Sequence, residues 1–196
     1  TEGEKYTISE VKLAGETIVP DEELQQLITV KKGDTFSREN VTQSSKAISD
    51  RLSNDGYAFA NVNPVPEVNK ELHTAAFTFF VDPGKRVYVR RINVVGNTRT
   101  RDEVIRREVR QLESSWYASN KINRSKERLV RTDFFSDVNV ETPGVPGTAD
   151  QVDLNISVTE KSTGSVQFGA GLSSSEGVVF GITVNQNNFV GTGNRV

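Results

Sequence analysis

Apolar residues fall in the same order twice along this chain. Ile8, Val11 and Leu13 lead to Gly15, and Val89, Ile92 and Val94 lead to Gly96, each pair 81 positions apart. The offset continues through Asp21 and Glu22 against Asp102 and Glu103, and through Leu24 and Ile28 against Ile105 and Val109. Further on it falls to 77: Leu52 matches Leu129, Tyr57 matches Phe134, and Phe77, Phe79 and Val81 match Leu154, Ile156 and Val158. An internal repeat of this length predicts two copies of one supersecondary unit.

Each copy reads as strand, helix, helix, strand, strand. The first strand is β-branched and stops at Gly15 or at Gly96-Asn97, which are turn signals. In copy one Pro20 fits the first helical position, and Leu24, Leu27 and Ile28 line one face. In copy two Thr100 and Glu103 have the spacing of a capping box. The second helix of copy one is expected to be capped by Ser37, with Phe36 and Val41 at staple spacing, and to end near Asn54 to Gly56. Its counterpart spans about Ser119 to Thr132, with Ile122 and Leu129 inward and Glu127–Arg131 as an i,i+4 pair. Two helices on one face of a three-stranded sheet is a two-layer α+β unit. The expected domains are 1–84 and 85–161, joined through Pro83-Gly84, a turn and not a tether.

Residues 162–196 differ. Val166, Phe168, Ala170 and Leu172 alternate with Gln167, Gly169, Gly171 and Ser173, a polar turn is expected over Ser174 to Gly177, and Val178, Phe180, Ile182 and Val184 alternate again. Each run has the length a tilted strand needs to cross a bilayer, with one apolar face and one small or polar face. A hairpin of an ordinary sandwich has the same period. An isolated hairpin is marginally stable, so the tail is expected to need further strands.

Charge separates the same three segments. Residues 1–84 hold 8 basic and 14 acidic side chains, residues 85–161 hold 15 and 11, and the tail one of each. The basic middle suits nucleic acid, anionic headgroups or an acidic protein. There is no Cys, so disulfides, thiolate nucleophiles and zinc–cysteine sites are excluded, and His73 is the single histidine. It follows Leu72 in a turn between two strands, and no serine sits in a nucleophile elbow. Gly169-Ala170-Gly171 and Gly191-Thr192-Gly193 lack the Lys and helix start of a phosphate loop. No catalytic residue, metal site or cofactor is therefore expected. An RNA-binding module of KH type needs a Gly-x-x-Gly loop between its helices. The one such tetrad, Gly144 to Gly147, lies between the last two strands, so nucleic acid is not an expected partner. With no Met and no leader pattern, the chain is expected to be a mature region or a piece of a longer protein.

One set of motifs goes further. Arg90 to Asn97, Thr100, Arg106-Arg107-Glu108, Glu113 with Trp116, Arg128-Leu129, Phe134-Phe135, Val145-Pro146-Gly147 and Gln151-Val152-Asp153 occur in that order. Thr163-Gly164-Ser165, Asn188-Phe189 and Gly191-Thr192-Gly193 follow. The whole run resembles the last POTRA domain and first barrel strands of outer-membrane assembly factors of the BamA type. Copy one resembles the preceding POTRA domain, chiefly at Gly56-Tyr57 and Asp82-Pro83-Gly84. Asp133 departs from the pattern, which usually has Gly there.

The resemblance implies two tandem POTRA-like β-α-α-β-β units and a C-terminal hairpin that starts a 16-stranded transmembrane barrel. It implies a periplasmic location attached to the outer membrane. The implied partners are unfolded outer-membrane proteins and accessory lipoproteins, the last POTRA domain being a usual docking platform for one of the latter. Extended clients can add to a sheet edge through main-chain hydrogen bonds. The expected edges are the second strands, Tyr57–Val62 and Phe135–Glu141, with Tyr57, Phe59, Val62, Phe135, Val138 and Val140 as client-edge residues. Pro64 and Pro66 either limit pairing there or end the strand. Arg106, Arg107, Arg110 and Glu113, on a basic helix, are the expected contacts to an acidic lipoprotein. The alternative is a two-partner secretion or other POTRA–barrel transporter with one dedicated client.

Overall fold

A computed structural model describes residues 5–173 and 177–195 of the chain. The first copy contains β1 (Thr7–Gly15), α1 (Asp21–Leu27), α2 (Arg38–Asn54), β2 (Asn61–Asn69) and β3 (Thr74–Asp82). The second contains β4 (Tyr88–Val95), α3 (Asp102–Arg106), β5 (Ser115–Trp116), α4 (Ser119–Arg131), β6 (Phe135–Glu141) and β7 (Gln151–Glu160). The tail forms β8 (Gly164–Ser173), β9 (Gly177–Gln186) and a 3-10 turn at Phe189–Gly191. The expected turn at 174–176 lies outside the described residues.

The α+β repeat is present. The sheet of the first copy has the order β1-β3-β2, with β1 parallel and β2 antiparallel to the central β3. Phe77, Phe79 and Val81 on β3 are buried against Leu24, Ile48 and Leu52 of the two helices. The repeated sheet has the order β5-β4-β7-β6. Leu154, Ile156 and Val158 of β7 are buried, as are Ile105, Ile122 and Leu129 from the helices. Its extra strand, β5, escaped the sequence reading because two residues carry no periodicity. Trp116 of β5 pairs with Tyr88, and its ring lies 4.2 Å beneath the Arg86 guanidinium.

The chain divides into two compact units. One comprises residues 1–89, 114–120 and 145–151, and the other 90–113, 121–144 and 152–196.

The expected Ser37 cap forms, whereas the starts of α1 and α3 depart from expectation. The Ser37 hydroxyl accepts from the Asn40 N–H at 3.4 Å, and Pro20 caps α1 one position earlier than expected. The capping box at Thr100 does not form: α3 begins after Arg101, with no side-chain cap. Thr100 is instead buried, and its N–H donates to the Glu160 carboxylate at 2.6 Å. A carboxylate from a neighbouring strand thus takes the local donor that a box would have used.

The strand bounds of copy one also differ. Tyr57 and Phe59 lie in the turn before β2, and the strand starts at Asn61 and runs through both prolines. The turn closes locally, with the Tyr57 N–H on the Leu52 carbonyl and the Ala60 N–H on the Tyr57 carbonyl.

Gly15 and Gly96 occupy equivalent points at the ends of β1 and β4. Both have positive φ, 99° and 89°. A Cβ there would meet the carbonyl oxygen of Val81 at 2.2 Å or of Val158 at 2.0 Å. Gly96→Ala therefore meets a clash with backbone as well as an unfavourable dihedral angle. It is expected to destabilise the second unit by about 2 kcal/mol or more in urea unfolding; a loss within about 0.5 kcal/mol would show that the approach is not required.

Candidate functional site: the strand edges

An edge strand exposes the backbone groups of alternate residues, and hydrogen bonds already given by the fold fix which ones. The Glu16 N–H donates to the Val81 carbonyl and the Thr7 N–H to the His73 carbonyl, both at 3.0 Å. Odd-numbered residues of β3 therefore turn towards β1, and even-numbered ones towards β2. By the register, Asn63, Val65 and Glu67 of β2 bond to Phe80, Thr78 and Ala76. Val62, Pro64, Pro66 and Val68 turn their groups outward. Both prolines thus stand inside the edge strand at outward positions, where each removes a donor. Pro64, Pro66, Phe36 and Phe77 line an apolar groove between β2 and α2, with the two rings stacked at 5.4 Å.

In the second copy the close approach of Gly96 to the Val158 carbonyl repeats that of Gly15 to Val81. Val158 and Ile156 therefore face β4, and the pairs Asp137–Thr159, Asn139–Ser157 and Glu141–Asn155 hold β6 to β7. Val138 and Val140 turn their backbone groups to the open edge. No proline interrupts Phe135–Glu141. Phe135 and Val138 bury their side chains, and Val140 is half-buried. This edge can both donate and accept.

The four expected partner contacts do not share a helix, because α3 stops at Arg106. Beyond it backbone turn hydrogen bonds carry the chain as far as Val109, and the Arg110 N–H donates to the Ser125 hydroxyl at 2.7 Å. Arg106, Arg107, Arg110 and Glu113 all remain exposed. Two of them also have a local task. The Glu113 carboxylate accepts the Ile92 N–H at 2.7 Å, and the Arg106 guanidinium donates to the Ile92 carbonyl at 3.0 Å. Arg106 is in turn paired with Asp102 and stands 3.7 Å from Glu113. The pair closes the edge of β4 at Ile92, which no strand covers on that side among the described residues.

The tail hairpin places Val166 opposite Val184, Phe168 opposite Ile182, and Leu172 opposite Val178. Phe168, Phe180 and Leu172 are 78–88% exposed, so a continuous apolar face has no cover among the described residues. Beyond β9 the chain returns to the second copy. The Asn188 amide donates to the Thr100 hydroxyl at 2.8 Å, and the Arg101 N–H to the Gly191 carbonyl at 3.0 Å. Glu160 organises the loop they touch, accepting from Thr98 Oγ1, the Arg99 N–H and the Thr100 N–H at 2.6–3.2 Å. Burial alone would raise its pKa, but the hydrogen bonds from Thr100, Thr98 and Arg99 outweigh it and hold the carboxyl below its ordinary 4.5. No motif marked Glu160 in the sequence, since its donors lie about 60 residues earlier.

The POTRA family model, described as surface antigen variable number repeat, matches residues 6–84 and again 87–161. The chain belongs to the POTRA family, in the BamA type. It is 40% identical to outer membrane protein assembly factor BamA of Neisseria meningitidis serogroup B, over 98% of this chain and 24% of that protein. The Buchnera aphidicola protein of the same name is 30% identical over the whole chain and 32% of its own length. The chain thus spans a quarter to a third of the length of these relatives. The crystal structure of BamA from Haemophilus ducreyi lacking POTRA domains 1–3 superposes with a TM-score of 0.82 at 38% identity, covering 97% of this chain and 36% of that one. The Haemophilus influenzae BamA POTRA3–5 structure gives 0.74 at 35% identity, over 79% and 61%.

The departure at Asp133 has a backbone cause. Its φ is 63°, a left-handed conformation that glycine adopts without cost, and the side chain pairs with Lys161.

The Glu160 cluster makes a pH prediction. A depressed folded-state pKa gives stability that is full above 4.5 and is lost as pH falls through the lower folded value. Glu160→Gln is expected to melt below the parent at neutral pH, with the gap closing under acid. Melting curves that stay the same distance apart from neutrality into acid would exclude this role.

Proposed function

We propose that this chain is the membrane-proximal periplasmic part of an outer-membrane protein assembly factor, holding unfolded barrel proteins and accessory lipoproteins beside a transmembrane barrel. The observation that carries the reading is the likeness to BamA of known structure over 97% of the chain, tail included. In this reading residues 1–84 and 85–161 are the last two POTRA domains, and residues 162–196 open the barrel. The uncovered apolar face of β8 and β9 is the lipid side. The role is binding and positioning, without catalysis, cofactor or nucleic acid.

Clients add to β6, whose Val138 and Val140 offer paired donors and acceptors with little dependence on client sequence. Phe135 supports that strand from within. Val62 presents the one outward donor at the head of β2, beside Tyr57 and Phe59 in the preceding turn. An NMR titration with peptides from several unfolded barrel proteins is expected to shift the Val138 and Val140 amides for each of them. Response to one dedicated client alone would favour the transporter reading, and silence at β6 would remove the client role.

An acidic lipoprotein docks on the face bearing Arg106, Arg107, Arg110 and Glu113. Since Arg106 and Glu113 already clasp Ile92, charge is best altered without losing the acceptor. Arg107→Glu and Arg110→Glu each reverse a charge of this face and leave both the Glu113 acceptor and the Arg106 donor on Ile92 in place. Each is expected to cut lipoprotein co-purification several-fold while the chain stays folded. Undiminished co-purification of both folded variants would reject the docking face.

A further inference from the structure

We propose that the free edge of β1, from Val11 to Gly15, is a second strand-addition site. Its occupant is an extended segment with alternating apolar side chains, as in an unfolded barrel strand. The proposal rests on the client-handling reading above and places the first copy's site on β1, away from the proline-blocked β2.

The backbone argument comes first. Because odd-numbered residues of β3 bond to Lys12, Ala14 and Glu16, the groups of Val11, Leu13 and Gly15 turn outward. They find no partner among the described residues. The chain itself demonstrates that this edge pairs. At the start of the same strand, the Ile8 N–H donates to the Asp34 carbonyl, the Gly33 N–H to the Ile8 carbonyl, both at 2.8 Å, and Thr7 bridges Thr35 antiparallel. That short cover ends before Val11.

Comparison of the copies explains why the rest stays open. The bridge Thr7–Thr35 recurs as Tyr88–Trp116, both partners shifted by 81. At this offset Val11 corresponds to Ile92, Gln25 to Arg106 and Lys32 to Glu113. Ile92 has its N–H and carbonyl taken by Glu113 and Arg106. Lys32 has no acceptor for the Val11 N–H, so the first copy keeps the edge and lacks the clasp.

The surroundings state what fits. On the helix side, Val11, Leu13, Gln25, Ile28 and Val30 line a groove between β1 and α1. Alternate side chains of an added strand would land there and bury apolar area. On the other face Glu10 and Lys12 are exposed and paired with each other at 2.9 Å, which suits polar residues between the apolar ones.

The test transplants the clasp. The 196-residue chain and its Gln25→Arg/Lys32→Glu variant are titrated with a synthetic peptide of the β8 sequence, Gly164–Ser173, and followed by NMR. The parent is expected to show shifts and slowed exchange at the Val11, Leu13 and Gly15 amides, with affinity at that edge at least tenfold weaker in the variant. Leu13→Pro, which removes an outward donor together with an apolar side chain of the groove, is expected to weaken it likewise. Shifts at β6 with none at β1 would overturn this site and leave the client reading standing. Binding at neither edge would remove both. Equal β1 affinity in parent and both folded variants would also overturn the site.

Discussion

Unmade backbone hydrogen bonds at the sheet edges are the constraint on which the rest of this structure turns. A three-stranded sheet covered by helices on one face solves the burial of Phe77, Phe79 and Val81. It leaves two rows of donors and acceptors with no strand beside them. Each row must be disabled, satisfied by side chains or left open, and all three outcomes occur among the described residues. Pro64 and Pro66 remove the two middle outward donors of β2. Glu113 and Arg106 satisfy β4 at Ile92, beyond the short cover that β5 gives to its start. Among the described residues, β6 and the later part of β1 keep their outward groups free. The same scaffold is therefore closed in some directions and open in others, by a handful of side chains that hardly touch its core.

What could be read from the amino-acid order follows from the same division. The buried stripes of β3 and β7, the second helix of each copy and the Ser37 cap are encoded by local spacing, and they stand where spacing puts them. The hairpin register also follows from alternation, since a shift by one residue would mix its apolar and polar faces. The edge rows were less legible. Whether a backbone N–H points outward depends on strand order and on hydrogen bonds such as Glu16 to Val81, which no periodicity reports. Thus Pro64 and Pro66 were visible as breakers, while their place inside a nine-residue strand was not. Likewise Thr100 and Glu103 have the spacing of a cap, yet the Glu160 carboxylate, far along the chain, outcompetes it.

Glu160 also shows how the tail is held to the repeat. One carboxylate gathers three donors from Thr98, Arg99 and Thr100, which fixes the loop into a shape that receives Asn188 and Gly191. Asn188 and Val190 both lie at positive φ, 57° and 51°. Such dihedral angles in a β-branched residue persist only where surrounding bonds over-determine them. The segment after β9 is accordingly fixed by loop contacts and not by its own propensity.

Repetition itself makes the edges separable. Because the two copies share a scaffold, a difference at an equivalent position can be assigned to edge control without invoking a change of fold. Arg106 and Glu113 against Gln25 and Lys32 is such a difference: the strands they flank are equivalent, and only one carries a clasp. The charge that closes Ile92 also faces solvent, so it is available to a partner's side chains. A group that satisfies the protein's own backbone while exposed to a partner ties two events together. Any partner that draws Glu113 or Arg106 away must either supply a substitute donor and acceptor to Ile92 or leave them bare. A partner that docked on this face would therefore share one equilibrium with the state of the β4 edge, whereas β6, held by its own pairs to β7, would stay outside it.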